Sequence, residues 1–183
     1  MWYEILTNGG ILAIVGVVVG FFLSEISGAY KKNKERTDCK NALFDEVRFN
    51  HEQTKSKIDI LNQAISALKQ KRFLSTKCAK YSTIEFKNIY HVALPKLTIL
   101  QKDNLRHLNS YYITIDKLLN SFDESFKNEL DNARIRRNTL DSLYENASSQ
   151  LTDIKSSLSN CLNLSSNLLQ RNPLPIFRNK GHK

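Results

Sequence analysis

The sequence predicts an all-α chain, with an N-terminal transmembrane helix followed by a cytosolic helical bundle. Three observations carry that class. Gly9–Leu23 runs fifteen residues without a charged or strongly polar side chain. There is no glycine between Gly28 and Gly181, and neither glycine nor proline between Ala29 and Leu94. Past the apolar run, aliphatic and aromatic residues recur at three- and four-residue steps, the helical period. Hairpins and βα turns rely on glycine and proline, so a β-rich fold is disfavoured.

The apolar run extends upstream through Ile5, Leu6, Thr7 and Asn8 to nineteen residues, bounded by Glu4 and Glu25. About 20 such residues cross the hydrocarbon of a bilayer. A surface helix of a soluble domain would show a polar face, and this segment shows none. Trp2 and Tyr3 flank one end and Tyr30 the other, where aromatic rings with polar tips settle at membrane interfaces. A signal peptide would carry positive charge before the apolar run, whereas only Glu4 precedes it. Ser27-Gly28-Ala29 has cleavage-site character but leads directly into Lys31, Lys32, Lys34 and Arg36. Positive charge after the run keeps the following chain cytoplasmic. The expected layout is residues 1–30 as a single pass with a short outside N-terminus, 31–171 as a cytosolic all-helical domain, and 172–183 as a basic tail.

Small residues mark one face of the membrane segment. At about 100° per residue, Gly9, Ala13, Gly16, Gly20 and Ser27 share a narrow sector, with Ser24 at its edge. Ile11, Val15, Val18 and Phe22 lie roughly opposite. Such a stripe lets helix backbones approach closely, which predicts self-association in the membrane. Thr7, Asn8 and Glu25 stand at the two ends of the segment and are candidate pore-mouth residues, since polar groups in membranes face protein or water.

Composition narrows the function classes. The formal charge is +9, from 27 Lys and Arg against 18 Asp and Glu. The excess sits in the middle and the tail, a surface suited to anionic lipid or RNA, although a lysine-rich solvated face has the same composition. Cys39, Cys78 and Cys161 are isolated and odd in number, as free thiols in a reducing cytosol would be. His51, His91, His107 and His182 show no Cys/His pairing at metal-ligand spacing, so neither a metal nor a cofactor is expected.

After the membrane segment, the spacing predicts a long amphipathic helix from Lys31 to about Arg72, striped by Cys39, Leu43, Val47, Ile58, Leu61, Ile65 and Leu68. Asn50 and Thr54 interrupt the stripe. This helix either continues the membrane helix or joins it near Gly28. Glu46, Asn50 and His51 share one side, as a binding site or a register-setting hydrogen-bond layer would. A break is expected at Phe73–Tyr81. Ser82-Thr83-Ile84-Glu85 has capping-box spacing, with Ser82 as cap and Glu85 reaching back. The helix it opens stops near Pro95. Another begins near Leu97, with Leu105, Leu108, Tyr112, Ile115, Leu119, Phe122 and Phe126 on one face. Asn120-Ser121-Phe122-Asp123 is expected to kink it or to start a segment through Leu130, Ile135, Leu140 and Leu143. Arg134, Arg136 and Arg137 read as a solvated face, with phosphate contact as the lesser alternative. The last helix is expected from about Ser149 to Leu169 or Gln170, with Arg171 favourably placed against its dipole.

No phosphate-binding glycine loop, nucleophile elbow or nucleotide fingerprint occurs, and no enzymatic activity is predicted. Helical-bundle ribonucleases carry an Arg, a polar residue and then a His, with about four to six residues between Arg and His, the Arg to hold phosphate and the His to move protons. Arg178-Asn179-Lys180-Gly181-His182 has that order with only three residues between the pair. It also follows Pro173 and Pro175, so Arg178 and His182 read as a degenerate pair without catalysis.

A membrane helix, the collar KKNKER, one all-helical domain and a degenerate Arg/His tail together resemble the small membrane accessory proteins of type VI-B CRISPR systems. The resemblance covers the whole chain in size and order of parts. It implies a pore-like homo-oligomer in the bacterial inner membrane that strengthens antiviral defence by an RNA-guided CRISPR ribonuclease. Defence there runs through membrane depolarisation once the nuclease has met viral transcripts. The residues themselves leave an oligomeric pore in the lipid bilayer and a membrane-anchored helical adaptor that binds RNA or a partner protein, with a membrane-tethered ribonuclease as the weakest third reading.

Overall fold

The computed structural model describes residues 2–136 and 140–171, with side chains over 13–133 and 140–171. Four helices follow one another, α1 Trp2–Lys69, α2 Ile84–Ala93, α3 Ile99–Arg136 and α4 Leu140–Gln170, with a 3₁₀ turn Leu94–Lys96 after α2. All described regular structure is helical.

α1 is one unbroken helix of 68 residues, about 100 Å long at 1.5 Å per residue. The apolar segment and the first bundle helix are therefore continuous through Gly28. Nothing in the sequence interrupts the hydrogen-bond ladder before Gln70, since neither proline nor a capping pattern intervenes. Residues 13–35 are exposed throughout, and cover by other elements begins around Arg36 and Cys39. α1 ends in a left-handed residue, Lys71 at φ 57°. The Arg72 N–H donates to Ala67 O at 2.9 Å and the Lys71 N–H to Leu68 O at 2.8 Å, the paired bonds of a Schellman cap. Glycine usually takes that position, and none is present to announce it.

The chain then runs as an extended strap over residues 72–83 and turns back along α1 as α2. α1 packs against α4 and α2, and α3 against α4, while the strap lies between α1 and α3. One side of the bundle is thus half strap and half short helix. The core is continuous across Leu43, Phe44, Leu61 and Leu68 of α1, Leu108, Ile115 and Phe126 of α3, and Leu151, Leu158 and Leu168 of α4. Tyr81 of the strap stacks on Tyr112 with centroids 4.3 Å apart, and Phe73 on Phe126 at 5.3 Å.

Three expectations are corrected. Ser82 and Glu85 do not form a capping box, because Thr83 is the cap residue of α2 and its side chain makes no capping bond. The box is at Thr98-Ile99-Leu100-Gln101, where Thr98 N–H donates to Gln101 Oε1 at 3.0 Å and Gln101 N–H to Thr98 Oγ1 at 3.2 Å. α3 continues unbroken through Asn120–Asp123, so no new segment starts there, and Asp123 has a tertiary role described below. α4 starts at Leu140, not near Ser149, so Leu140 and Leu143 belong to it.

Candidate functional site

Two features stand out as candidates: the polar cluster around Glu46 and the uncovered length of α1. The cluster is spent on holding the strap. Glu46, Asn50, Thr54 and Lys57 follow one another on α1 at four-, four- and three-residue steps, one face of a helix. All four are buried. The Glu46 carboxylate accepts the backbone N–H groups of Glu85 at 3.1 Å and Phe86 at 3.0 Å and the Ser82 hydroxyl at 2.8 Å. It caps α2 from another helix, satisfying donors that Ser82 was expected to take. Asn50 pairs with Ser82 as a strand would: Ser82 N–H donates to Oδ1 at 3.0 Å and Nδ2 donates to Ser82 O at 2.6 Å. The Thr54 hydroxyl donates to Asn50 O, which leaves the Tyr81 hydroxyl to donate to Thr54 at 3.0 Å.

Lys57 is 2% exposed, and its ammonium has three donors to place. They go to Ala79 O at 2.6 Å, Asp116 Oδ1 at 3.0 Å and Cys78 Sγ at 3.2 Å. Asp116 completes the clasp by accepting Tyr81 N–H at 2.8 Å. Seven residues on along α3, Asp123 accepts Thr76 N–H at 3.0 Å, the Thr76 hydroxyl at 2.8 Å and the Ser75 hydroxyl. Sequence reasoning missed Lys57, Asp116 and Asp123. Their signal was available, as polar residues in register with an apolar stripe, but without the strap nothing says what they bind.

His51 leaves this cluster and faces α4, with Nδ1 2.8 Å from the Ser165 hydroxyl. Burial lowers its pKa below the ordinary value, the Lys55 ammonium lowers it further, and Glu52 opposes them. Burial pushes the Cys161 thiol up to about 12. Burial, and after it the carboxylates of Glu35, Asp38 and Glu85, raise that of Cys39. Neither thiol is activated as a nucleophile.

The second feature is on the surface. Ala13, Gly16, Gly20, Ser24 and Ser27 are exposed, and so is Glu25. A Cβ built on Gly16 or Gly20 meets nothing within 4 Å, so none of the described residues packs there. The backbone of Thr7, Asn8 and Gly9 belongs to α1, while their side chains lie outside the described residues, as do Arg178 and His182. α1 contains an apolar window long enough to cross a membrane, none of it buried. Because the helix is unbroken, its phase carries from one end to the other. Leu43, Val47, Asn50, Leu61 and Leu68, which face the bundle, lie roughly 150° around α1 from the stripe of small residues. At the ideal step of about 100° per residue, the stripe falls on the side of α1 away from the bundle. Ile14, Val17, Phe21 and Leu23 are each more than half exposed around it. Comparison with family models, curated proteins and solved structures gives no match.

Proposed function

We propose that α1 anchors this chain in a membrane and that copies associate through the small-residue stripe into a pore-like homo-oligomer. The observation that carries the reading is the uncovered apolar length of α1, with its small residues exposed. Helices meeting at Gly9, Ala13, Gly16 and Gly20 then keep their bundles on the outside, where they do not collide. In lipid there is no hydrophobic drive between helices, and close backbone approach at small residues supplies the contact. Thr7, Asn8, Ser24 and Glu25 meet water near the mouths. The resemblance to type VI-B CRISPR accessory proteins adds the setting, the bacterial inner membrane with the bundle cytoplasmic, and the role, depolarisation that reinforces an RNA-guided ribonuclease.

A second reading, a membrane-anchored adaptor for RNA or a partner protein, is favoured by the exposed collar Lys31, Lys32 and Lys34. Replacing residues 1–30 with an unrelated single-pass helix separates the two. A pore loses both depolarisation and phage resistance although the protein still reaches the membrane. Full protection without depolarisation would refute the pore and leave the adaptor.

A further inference from the structure

The bundle has one end turned toward the apolar segment, and the strap identifies it. Along the strap, Lys57 meets Ala79, Thr54 meets Tyr81, Asn50 meets Ser82 and Glu46 meets Phe86. Rising numbers on the strap meet falling numbers on α1, so α2 climbs toward the N-terminus of α1. The 3₁₀ turn and the start of α3 therefore sit at the end nearest the apolar segment. α4 ends on that side too, because Ser165 already stands beside His51.

At this tip the chain exposes what a soluble bundle would cover. Ile99 is 77% exposed, more than any other large hydrophobic residue described in the bundle, and the adjacent Leu100 is 49% exposed. Pro95 and Thr98 beside them are exposed and Lys96 is half-buried, while Arg171, also exposed, ends α4 roughly one to two turns lower. The collar of α1, Lys31, Lys32, Lys34 and Arg36, outnumbers Glu35 and Asp38 at this level. α2 and the 3₁₀ turn rise ~15–20 Å from Glu46, which reaches the height of that collar on α1.

We propose that this tip, led by Ile99 and Leu100 and ringed by basic side chains, docks on the anionic headgroups of the bilayer that α1 spans. The inference rests on the reading that α1 crosses the membrane. The geometry allows it. The collar starts ~12 Å past Leu23 along the helix, and the headgroup layer takes up ~5–7 Å of that. With α1 upright, Ile99 stands ~15 Å clear of the headgroups. α3 lies diagonally across the bundle from α1, and a tilt of ~30–40°, within the usual range, lowers an element ~14 Å to the side by ~7–9 Å. The side chains span what remains. Aliphatic residues in a basic rim then bury in the interface while the lysines meet phosphate.

Trp2 is the only tryptophan, so a Trp2→Phe background gives a clean probe. In that background Ile99→Trp reports on the tip, and Leu74→Trp reports on the opposite end of the bundle, where Leu74 is 43% exposed. The full chain is reconstituted in phosphatidylcholine vesicles with and without phosphatidylglycerol, and quenching by lipids brominated near the headgroup is read. Docking predicts blue-shifted emission from the Ile99→Trp protein, quenching several-fold above that of the Leu74→Trp protein, and strengthening with phosphatidylglycerol. It also predicts loss of that strengthening in about 1 M salt, where screening contracts to about 3 Å. Retention of the chain through alkaline extraction, with the tip indole quenched no more than the indole at the far end, overturns the docking and leaves the spanning helix intact. A blue-shifted but unquenched tip indole means a second copy covers the tip, which also overturns it. Release of the chain by alkali overturns the spanning reading, and docking with it.

Discussion

Asp123 offers the sharpest test of how the bundle is held together. Its carboxylate is 1% exposed and gathers Thr76 N–H, the Thr76 hydroxyl and the Ser75 hydroxyl. Asp123→Ala leaves the Thr76 N–H buried without an acceptor and the Thr76 hydroxyl with only Leu119 O, at 3.4 Å. Bonds to a charged group contribute about 1.5–3 kcal/mol each, and an orphaned buried donor costs about 1–3 kcal/mol. Removing the carboxylate also ends its own desolvation cost, which offsets part of that sum. The net loss is about 3–4 kcal/mol, a large share of the stability of an ordinary domain. For a chain of this size it lowers Tm by roughly 6–16 °C. Asp123→Asn keeps one acceptor but turns an amide donor toward other donors, and loses about 2 kcal/mol. Differential scanning fluorimetry in detergent reads both variants, and hydrogen exchange locates the damage at residues 75–82. A double-mutant cycle with Thr76→Val then gives a coupling of about 1–2 kcal/mol. An Asp123→Ala protein within about 0.5 kcal/mol of wild type would refute the strap as an anchored element.

Gly16→Leu with Gly20→Leu fills the close-packing face while keeping α1 apolar, and detergent-solubilised protein drops from an oligomer to monomers in native mass measurements. An unchanged oligomer would move assembly to the bundle. In an Asp141→Asn background, which already lacks the exposed ion pair, Lys71→Gly relieves the left-handed backbone and raises Tm by about 2 °C; a fall in Tm there would contradict the cap. His51 has a folded pKa below its unfolded value of about 6.5. The unfolded chain therefore takes up the proton first as pH falls. The contribution of His51 is complete above about pH 6.5 and drains away as pH drops toward the folded pKa. Urea midpoints for wild type between pH 7.5 and 5.5 fall further than those of His51→Gln; parallel curves would exclude the effect.

Much of the fold is legible in the chain because helices declare themselves by period. The apolar run, the stripe through Leu43, Val47, Leu61 and Leu68, and the face from Leu105 to Phe126 all follow from spacing alone. What spacing does not convey is which polar residues are turned inward. Asn50 and Thr54 read as interruptions of a stripe and are its partners for the strap. Asp123 reads as a kink in a helix and is the acceptor for Thr76. Each belongs to a contact more than twenty residues away in sequence, so local rules cannot assign it. The capping box is misplaced for a related reason, since Ser82-Thr83-Ile84-Glu85 and Thr98-Ile99-Leu100-Gln101 carry equal local signals. Only the arrival of Glu46 at α2 decides which pair is free to close on itself. The small-residue stripe is readable in full, but relating its phase to the bundle needs the unbroken course of α1.

The central claim is that α1 makes a conducting assembly through its small-residue face, and ion flux in vesicles tests it most directly. Full-length protein is inserted into vesicles holding a potassium diffusion potential, beside Gly16→Leu/Gly20→Leu protein matched for insertion. Wild type is expected to collapse the potential, read by a voltage-sensitive dye, while the double variant leaves it standing. A potential that survives wild-type protein, or falls equally with both, would contradict the account.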